Sequence, residues 1–128
     1  MNAKTLLHTI PVPSTDFTQE AYWDERRPRP AIRFAYRQNN IEHQGGITLG
    51  HVLATRTRAE RCCTAWHIEA YDALVEIQDS EWVKEIKAQT DPNWRDKWEM
   101  HHYMIYLDSA GCFEVIAASY AVLPEEPT

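Results

Sequence analysis

The sequence predicts an α+β fold, in which an antiparallel β-sheet of about five to seven short strands carries one principal α-helix. Three observations support this class. Apolar and polar residues alternate along several segments, as in half-buried strands. One segment after Ser80 has a helix cap and an apolar stripe, and the last alternating segment contains a turn that predicts a C-terminal β-hairpin. The chain has 128 residues, which fits a single domain, 1–128.

The first part of the chain predicts a strand, a short helix and a connector. "KTLLHTI" (Lys4–Ile10) is rich in strand-forming residues and is followed by two prolines. Residues 14–16 can cap a short helix, since Phe17 and Ala21 are four residues apart and would share one helix face. "RRPRP" at 26–30 is then expected to be extended, because each proline fixes its own φ and restricts the residue before it.

The middle of the chain predicts further strands. "AIRFAYR" (Ala31–Arg37) alternates cleanly and reads as a half-buried strand. The Asn-Asn pair at 39–40 and the Gly-Gly pair at 45–46 each predict a turn. The segment 47–58 predicts another strand, with a bulge or a close backbone approach at Gly50.

Residues 62–77 are compatible with two strands or with a helix, and we favour two strands interrupted near 69–72. The following segment, Ser80–Gln89, is the principal helix. Asp79 and Ser80 are good caps, an acidic residue lies in the first turn, and three apolar side chains form one stripe. The stripe consists of Trp82, Val83 and Ile86.

The segment from residue 101 to residue 123 predicts the C-terminal hairpin, with its turn at "DSAG". One face of the first strand carries His101, Tyr103, Ile105 and Leu107. With a bulge at Gly111, Tyr103 would pair with Ala117, Ile105 with Val115, and Leu107 with Phe113. These pairs would form a core row. The opposite row is mixed in polarity and holds His102, Met104, Tyr106, Glu114, Ile116 and Tyr120. We expect a helix or a second copy of the chain, in a homodimer, to cover it.

Because neighbouring strand residues face opposite sides, His101 and His102 are not expected to bind one metal ion. Glu99 and His101 could share a face, but the chain has no HExxH or paired CxxC pattern. The remaining ligands would have to come from His43, His51 or His67. No phosphate-binding glycine motif is present either. We therefore predict no metal and no cofactor.

Cysteine content and the N-terminus bear on the compartment. The chain has three cysteines, and an odd number that includes the vicinal pair Cys62 and Cys63 is a poor disulfide framework. In a strand Cys63 and His67 would be about 13 Å apart, too far for a thiolate pair, so inert thiols are expected. No signal pattern and no apolar run of about 20 residues is present. We predict a cytoplasmic protein without a membrane segment.

Candidate site residues are few. No catalytic motif is present, which favours a protein that is not an enzyme. If it is one, the first catalytic candidates are Glu114, His102 and Tyr106, and a covered Glu114 would have a raised pKa. The candidate binding residues are Arg33 and Arg37, for an anionic ligand, and Trp94 and Trp98, which would share one face of a turn.

Charge separates the two halves of the chain and suggests two classes of function. Residues 1–61 carry nine basic and six acidic side chains, a net charge of +3, and residues 62–128 carry four basic and thirteen acidic, a net charge of −9. Nucleic-acid binding is disfavoured by the overall charge of −6. The first expectation is a small acidic, non-enzymatic protein-binding domain, such as an inhibitor or immunity-type protein that blocks a basic target. The alternative is a small α+β enzyme or anionic-ligand-binding domain with a pocket between helix and sheet.

Overall fold

The structure, a computed structural model, describes residues 2–26, 29–123 and the backbone of 126–127. The strands in this part of the chain are β1 (Lys4–Thr9), β2 (Phe17–Asp24), β3 (Ala31–Gln38), β4 (Ile41–Arg58), β5 (Ala73–Ile77), β6 (His101–Leu107), β7 (Gly111–Val122) and β8 (Glu126–Pro127). The α-helices are α1 (Ala65–Ile68) and α2 (Glu81–Gln89), and short 3-10 helices occupy Ser14–Asp16 and Glu60–Cys62.

All the strands belong to one sheet with the order β1-β5-β6-β7-β4-β3-β2, and β8 pairs with β4 beside this path. Every pairing of neighbouring strands is antiparallel. The fold-class prediction is therefore confirmed in part: the antiparallel sheet and the C-terminal hairpin are present, and α2 lies on the sheet, but sheet predominates more than the α+β expectation implied. None of the helices described is long and apolar enough to cross a lipid bilayer.

The strand β4 joins the two parts of the sheet. It is 18 residues long and pairs with β3 through its first half and with β7 through its second half. His51 has a φ of 53°, and the register with β7 shifts between Val52 and Ala54. The bulge thus lies after Val52 and not at Gly50, whereas the close approach predicted at Gly50 is confirmed, since a Cβ there would come within 2.5 Å of Ser119 Oγ.

The inner face of the sheet carries the larger of two cores. Its buried members include Ile32, Phe34, Tyr36, Ile47, Leu49, Leu74, Tyr103, Ile105, Leu107, Phe113, Val115 and Ala117. Ile10, just after β1, and Ala21, in β2, belong to the same cluster although β1 and β2 are the two edges of the sheet. The sheet therefore curves around this core, which removes most of its apolar surface from water.

The outer face of β5, β6 and β7 carries a second core, which the chain itself covers. Its buried members are Ala70, Val75, Ile77, Met104, Tyr106 and Cys112, with Cys63, Trp66 and Ala73 packed against them. The mixed row of the hairpin was expected to be covered by a helix or a second copy of the chain. Here α1, α2 and the segment 59–64, which joins β4 to α1, cover this row. No surface is therefore assigned to a homodimer, which stays a prediction.

Two predicted elements are wrong in the first half of the chain. The helix expected after Ser14 is a single 3-10 turn, and β2 begins at Phe17. The strand is favoured because Phe17 stacks on Phe34 of β3, with ring centroids 4.5 Å apart. The Gly-Gly pair at 45–46 lies inside β4 and forms no turn; a Cβ at Gly45 would come within 2.9 Å of the Phe34 ring, so the pair serves close packing. The turn at 39–40 is confirmed, since both asparagines have positive φ.

The segment 62–77 contains one helix and one strand, so the first of the two strands we favoured is wrong. Residues 65–68 form α1, which Thr64 and His67 cap reciprocally: the Thr64 backbone N–H donates to His67 Nδ1 at 3.0 Å. The second strand is confirmed as β5. The principal helix is also confirmed, with the Ser80 hydroxyl accepting a hydrogen bond from the Val83 N–H at 3.1 Å.

The faces predicted for the hairpin are confirmed as far as Ala117, but its register is wrong by two residues. Leu107 pairs with Gly111, Ile105 with Phe113 and Tyr103 with Val115. The turn is shorter than expected because Gly111, with a φ of 93°, already belongs to β7, where a side chain would collide with the backbone of residues 58–60.

Tyr120 was also placed on the wrong face. It packs edge-on against Tyr103 in the inner core, with ring centroids 5.5 Å apart. Ala117 and Tyr120 both belong to that core although they are three residues apart, so the strict alternation of β7 is interrupted between them.

Candidate functional site

Three polar side chains form a continuous line on the outer face of the sheet. The Ser80 hydroxyl lies 2.7 Å from His102 Nδ1, and His102 Nε2 lies 2.8 Å from Glu114 Oε1. All three side chains are buried, with relative exposures of 6%, 3% and 2% for the residues in that order. A hydroxyl, an imidazole and a carboxylate are thus joined by hydrogen bonds.

The sheet register brings the carboxylate and its two partners together. Arg56 of β4 is directly opposite Glu114 of β7, and its Nε and Nη2 donate to the two carboxylate oxygens at 3.0 Å each. On the other side, Met104 of β6 pairs with Glu114, so His102 occupies the diagonal position on the same face. Helix α2 begins above this point and presents Ser80, its N-cap, to the imidazole ring.

Glu114 is ionised in this arrangement. Burial by itself would raise the pKa of Glu114, but the hydrogen bonds from His102 and Arg56 favour the charged form and lower the pKa from 4.5 to about 2. The raised pKa that we expected for a covered Glu114 is therefore wrong, because a partner on the neighbouring strand compensates its charge.

The hydrogen-bond partners of His102 assign one of its ring protons. An ionised Glu114 can only accept, so Nε2 carries a proton and donates to it. The Ser80 hydroxyl oxygen accepts from the Val83 N–H and keeps a second lone pair and its own hydrogen, so its contact with Nδ1 is compatible with either direction of donation. Ser80 therefore lies directly against the second ring nitrogen of His102.

Trp82 covers this line and links it to Arg56. The guanidinium carbon of Arg56 lies 4.0 Å from the centroid of the Trp82 ring, a cation–π contact. The edge of the same ring system contacts His102, with centroids 5.1 Å apart and planes at 79°. Arg56 is half-exposed, so this aromatic and guanidinium pair forms the outer rim of the site.

A cavity of about 260 Å³ opens onto these side chains between α1, α2 and the sheet. It is lined by Asn2, Arg56, Trp66, Ile77, Ser80, Glu81, Trp82 and His102. Small-molecule sites usually measure roughly 300–1,000 Å³, so the cavity suits a ligand of about one ring. Its apolar walls are Trp66, Ile77 and Trp82, the other lining residues are polar, and the charge of Arg56 is matched by that of Glu114.

Of the three catalytic candidates, the structure brings two together. Tyr106 shares the face of His102 but lies further along β6, and its hydroxyl donates to Glu60 at 3.1 Å. Burial and the neighbouring Glu60 carboxylate raise the pKa of Tyr106 to about 12. It does not line the cavity.

The arginine candidates lie elsewhere and both form ion pairs. Arg33 and Arg26 both pair with Asp24, and Arg37 lies 3.7 Å from Glu42. An anionic ligand at this edge stays a prediction, although it would have to compete with these carboxylates.

The two tryptophan candidates form an exposed pair, as their spacing predicted. Trp94 and Trp98 stack with ring centroids 6.0 Å apart, and Trp94 is 49% exposed. Lys97 lies over the Trp94 ring and His51 contacts the edge of Trp98.

The metal site and the reactive cysteine that the sequence disfavours gain no support from the structure. Within the described residues, no three histidine, cysteine, aspartate or glutamate side chains are grouped to hold a metal ion. His101 turns away from His102 and contacts Glu76 and Glu99. Burial raises the pKa of the Cys63 and Cys112 thiols, which makes both poor nucleophiles.

Sequence reasoning missed the central features of the site. It identified Ser80 only as a helix cap, and it gave Arg56 no role. The available signal was weak: a capping serine that follows a buried strand, with an aromatic residue two positions later. Comparison with known proteins adds no relative to this picture, because no protein-family model, curated protein or solved structure matches the chain.

Proposed function

We propose that the chain binds a small, neutral, planar molecule in the cavity between α2 and the sheet. The observation that carries this proposal is the cavity lining, in which Trp82 is held by Arg56 over its ring and by an edge contact with His102, and to which Trp66 also contributes. A flat ligand can contact these rings at little entropic cost, because both walls are already fixed by their own contacts.

Charge favours a neutral ligand over the anionic one that the sequence suggested. Arg56 is engaged bidentately by Glu114, and Glu81 adds a carboxylate to the lining. Lys4, which lies over the outer side of Trp66, pairs with Glu69. An anion would therefore meet no uncompensated cation among these residues.

A pair of matched probes tests the proposal: benzamide, which is neutral, and benzoate, which is an anion of nearly the same shape. We expect benzamide to bind more tightly and to shift the indole N–H signals of Trp66 and Trp82 in nuclear magnetic resonance spectra. The signals of Trp23, Trp94 and Trp98 serve as internal controls. Trp82→Ala should weaken binding at least about tenfold, because a stacked ring is lost, whereas Trp94→Ala should not. Tighter benzoate binding, or shifts confined to Trp94, would contradict the proposal.

The exposed tryptophan pair supports a second candidate function, the binding of a protein partner. Trp residues are enriched at the centres of interfaces, and the overall charge of −6 favours a basic partner. Affinity capture should then recover one stoichiometric basic protein with the native chain and with Trp82→Ala, but not with Trp94→Ala. Equal recovery with all three would count against it.

The three free thiols support a reducing compartment such as the cytoplasm.

A further inference from the structure

The cavity contains more than binding requires. A binding site needs only shape and a few polar groups, yet this one ends on a hydroxyl that is hydrogen-bonded to an imidazole whose other nitrogen is held by a carboxylate. Ser80 and His102 both line the cavity although each is almost completely buried, so only a molecule inside the cavity can reach them.

We propose that Ser80 is the nucleophile and His102 the general base of an acyl-transfer site that hydrolyses a small neutral aryl ester. This inference rests on the proposed function, because the ester must first occupy the cavity as a planar ligand. The roles follow from the contacts: the Ser80 hydroxyl is within hydrogen-bond distance of His102 Nδ1, and Glu114 fixes the ring from the other side.

The first half-reaction forms an acyl-serine. Ser80 Oγ bonds to the ester carbonyl carbon while its proton passes to His102 Nδ1. The bond from that carbon to the aryl oxygen then breaks, and the phenol leaves with the proton from Nδ1. In the second half-reaction water adds to the same carbon and gives a proton to Nδ1, the bond to Ser80 Oγ breaks, and Ser80 regains the proton as the carboxylic acid is released.

The surroundings of Ser80 support charge development in both steps. His102 becomes a cation while the proton is on Nδ1, and the Glu114 carboxylate at Nε2 stabilises that cation. The backbone N–H groups of Glu81 and Trp82 open α2 and precede its first intrahelical hydrogen bond, so they can donate to the carbonyl oxygen as it becomes negative. Glu114 and Arg56 act through His102 and are positioning residues.

The volume and walls define the substrate class. About 260 Å³ accommodates one ring with a short acyl group, and Trp66, Trp82 and Ile77 provide apolar walls. Phenyl acetate satisfies both conditions, and phenylmethanesulfonyl fluoride is a covalent probe of similar size. Its sulfur bonds to the serine oxygen as fluoride leaves.

The test uses the full chain with both reagents. We expect one phenylmethanesulfonyl group on Ser80 by peptide mass mapping, and phenyl acetate hydrolysis that falls at least about 100-fold in Ser80→Ala. Ser80→Gly removes the same hydroxyl while nearly preserving the helix cap, so it should match Ser80→Ala and excludes unfolding as the cause. Ser119→Ala, at an exposed serine of β7, should keep both labelling and activity. Glu114→Gln should lower kcat with little change in KM.

The two proposals fail in different ways. If benzamide binds and shifts the Trp82 signal, but Ser80 is not labelled and Ser80→Gly hydrolyses phenyl acetate as fast as the native chain, the acyl-transfer site is overturned and the binding proposal stands. If benzamide does not bind and hydrolysis is unchanged in Ser80→Gly, both are overturned.

Discussion

His101 and His102 are neighbours in the chain, but the sheet places them in opposite environments. The His101 side chain is 31% exposed and pairs with Glu76 and Glu99 at the start of β6. His102 is 3% exposed and is held between Ser80 and Glu114. The same residue type therefore serves two purposes: His101 makes ordinary surface ion pairs, whereas His102 is one member of a buried network in which the loss of any partner leaves an unsatisfied group.

The largest expected difference between the two histidine environments concerns their carboxylate partners. Glu114→Ala removes the anion that holds Arg56 and leaves the buried Nε2–H of His102 without an acceptor, so it should lower the free energy of unfolding by about 2–3 kcal/mol. Glu76→Ala, the matched change beside His101, should cost less than about 1 kcal/mol because that pair is partly solvated. Urea unfolding monitored by tryptophan fluorescence measures both. Equal costs would contradict the comparison.

The acid stability of the protein should depend on Glu114. The pKa of Glu114 is 4.5 ordinarily and about 2 in the folded protein, so its contribution to stability is complete above pH 4.5 and is lost as the pH falls towards 2. A shift of this size corresponds to a free energy of unfolding on the order of 3 kcal/mol. Arg26 and Arg33 also lower the pKa of Asp24, so other carboxylates contribute to the same decline.

The measurement therefore compares pH profiles of unfolding for the native chain and Glu114→Gln. The stability difference between them should shrink steadily between pH 4.5 and 2. Two parallel profiles across this interval would show that the pKa of Glu114 is not lowered in the folded protein.

The smallest expected effect concerns His101, whose contribution to stability changes with pH in the opposite direction to that of Glu114. Burial alone would lower the pKa of His101, but its hydrogen bonds and charge interactions with Glu76 and Glu99 raise it above 6.5. Its contribution is therefore complete below pH 6.5 and is lost as the pH rises through the folded pKa. Because the pair is partly exposed, we expect less than about 1 kcal/mol. Glu76→Gln should remove this slope in unfolding profiles; a slope of unchanged size would contradict the assignment.

Local patterns predicted those features that depend on a few neighbouring residues. The two faces of the hairpin follow from alternation of side chains, and α2 follows from Ser80 and the apolar stripe after it. The helix expected after Ser14 failed because the spacing of Phe17 and Ala21 also fits an edge strand, and stacking on Phe34 decides between them. The turn expected at 45–46 failed for a similar reason, since glycine also permits close packing of a ring.

The candidate site could be predicted only in fragments, because its residues are far apart in the chain. Arg56 and Glu114 meet through the β4–β7 pairing, and Ser80 meets His102 only because α2 folds back over β6. Neither contact has a local signature. The expectation of a raised pKa for Glu114 failed for this reason. Burial does favour a higher pKa, but the sequence did not reveal that Arg56 lies beside the carboxylate and lowers it.

The protonation of His102 tests the central claim most directly. Long-range nitrogen–proton correlation spectra of the imidazole ring, recorded near neutral pH, distinguish its two nitrogens. The base role of His102 requires a single neutral tautomer with the proton on Nε2 and an unprotonated Nδ1 facing Ser80. A proton on Nδ1 would contradict the base role, and rapid averaging between the two tautomers, as in a solvated ring, would contradict the line of contacts as well.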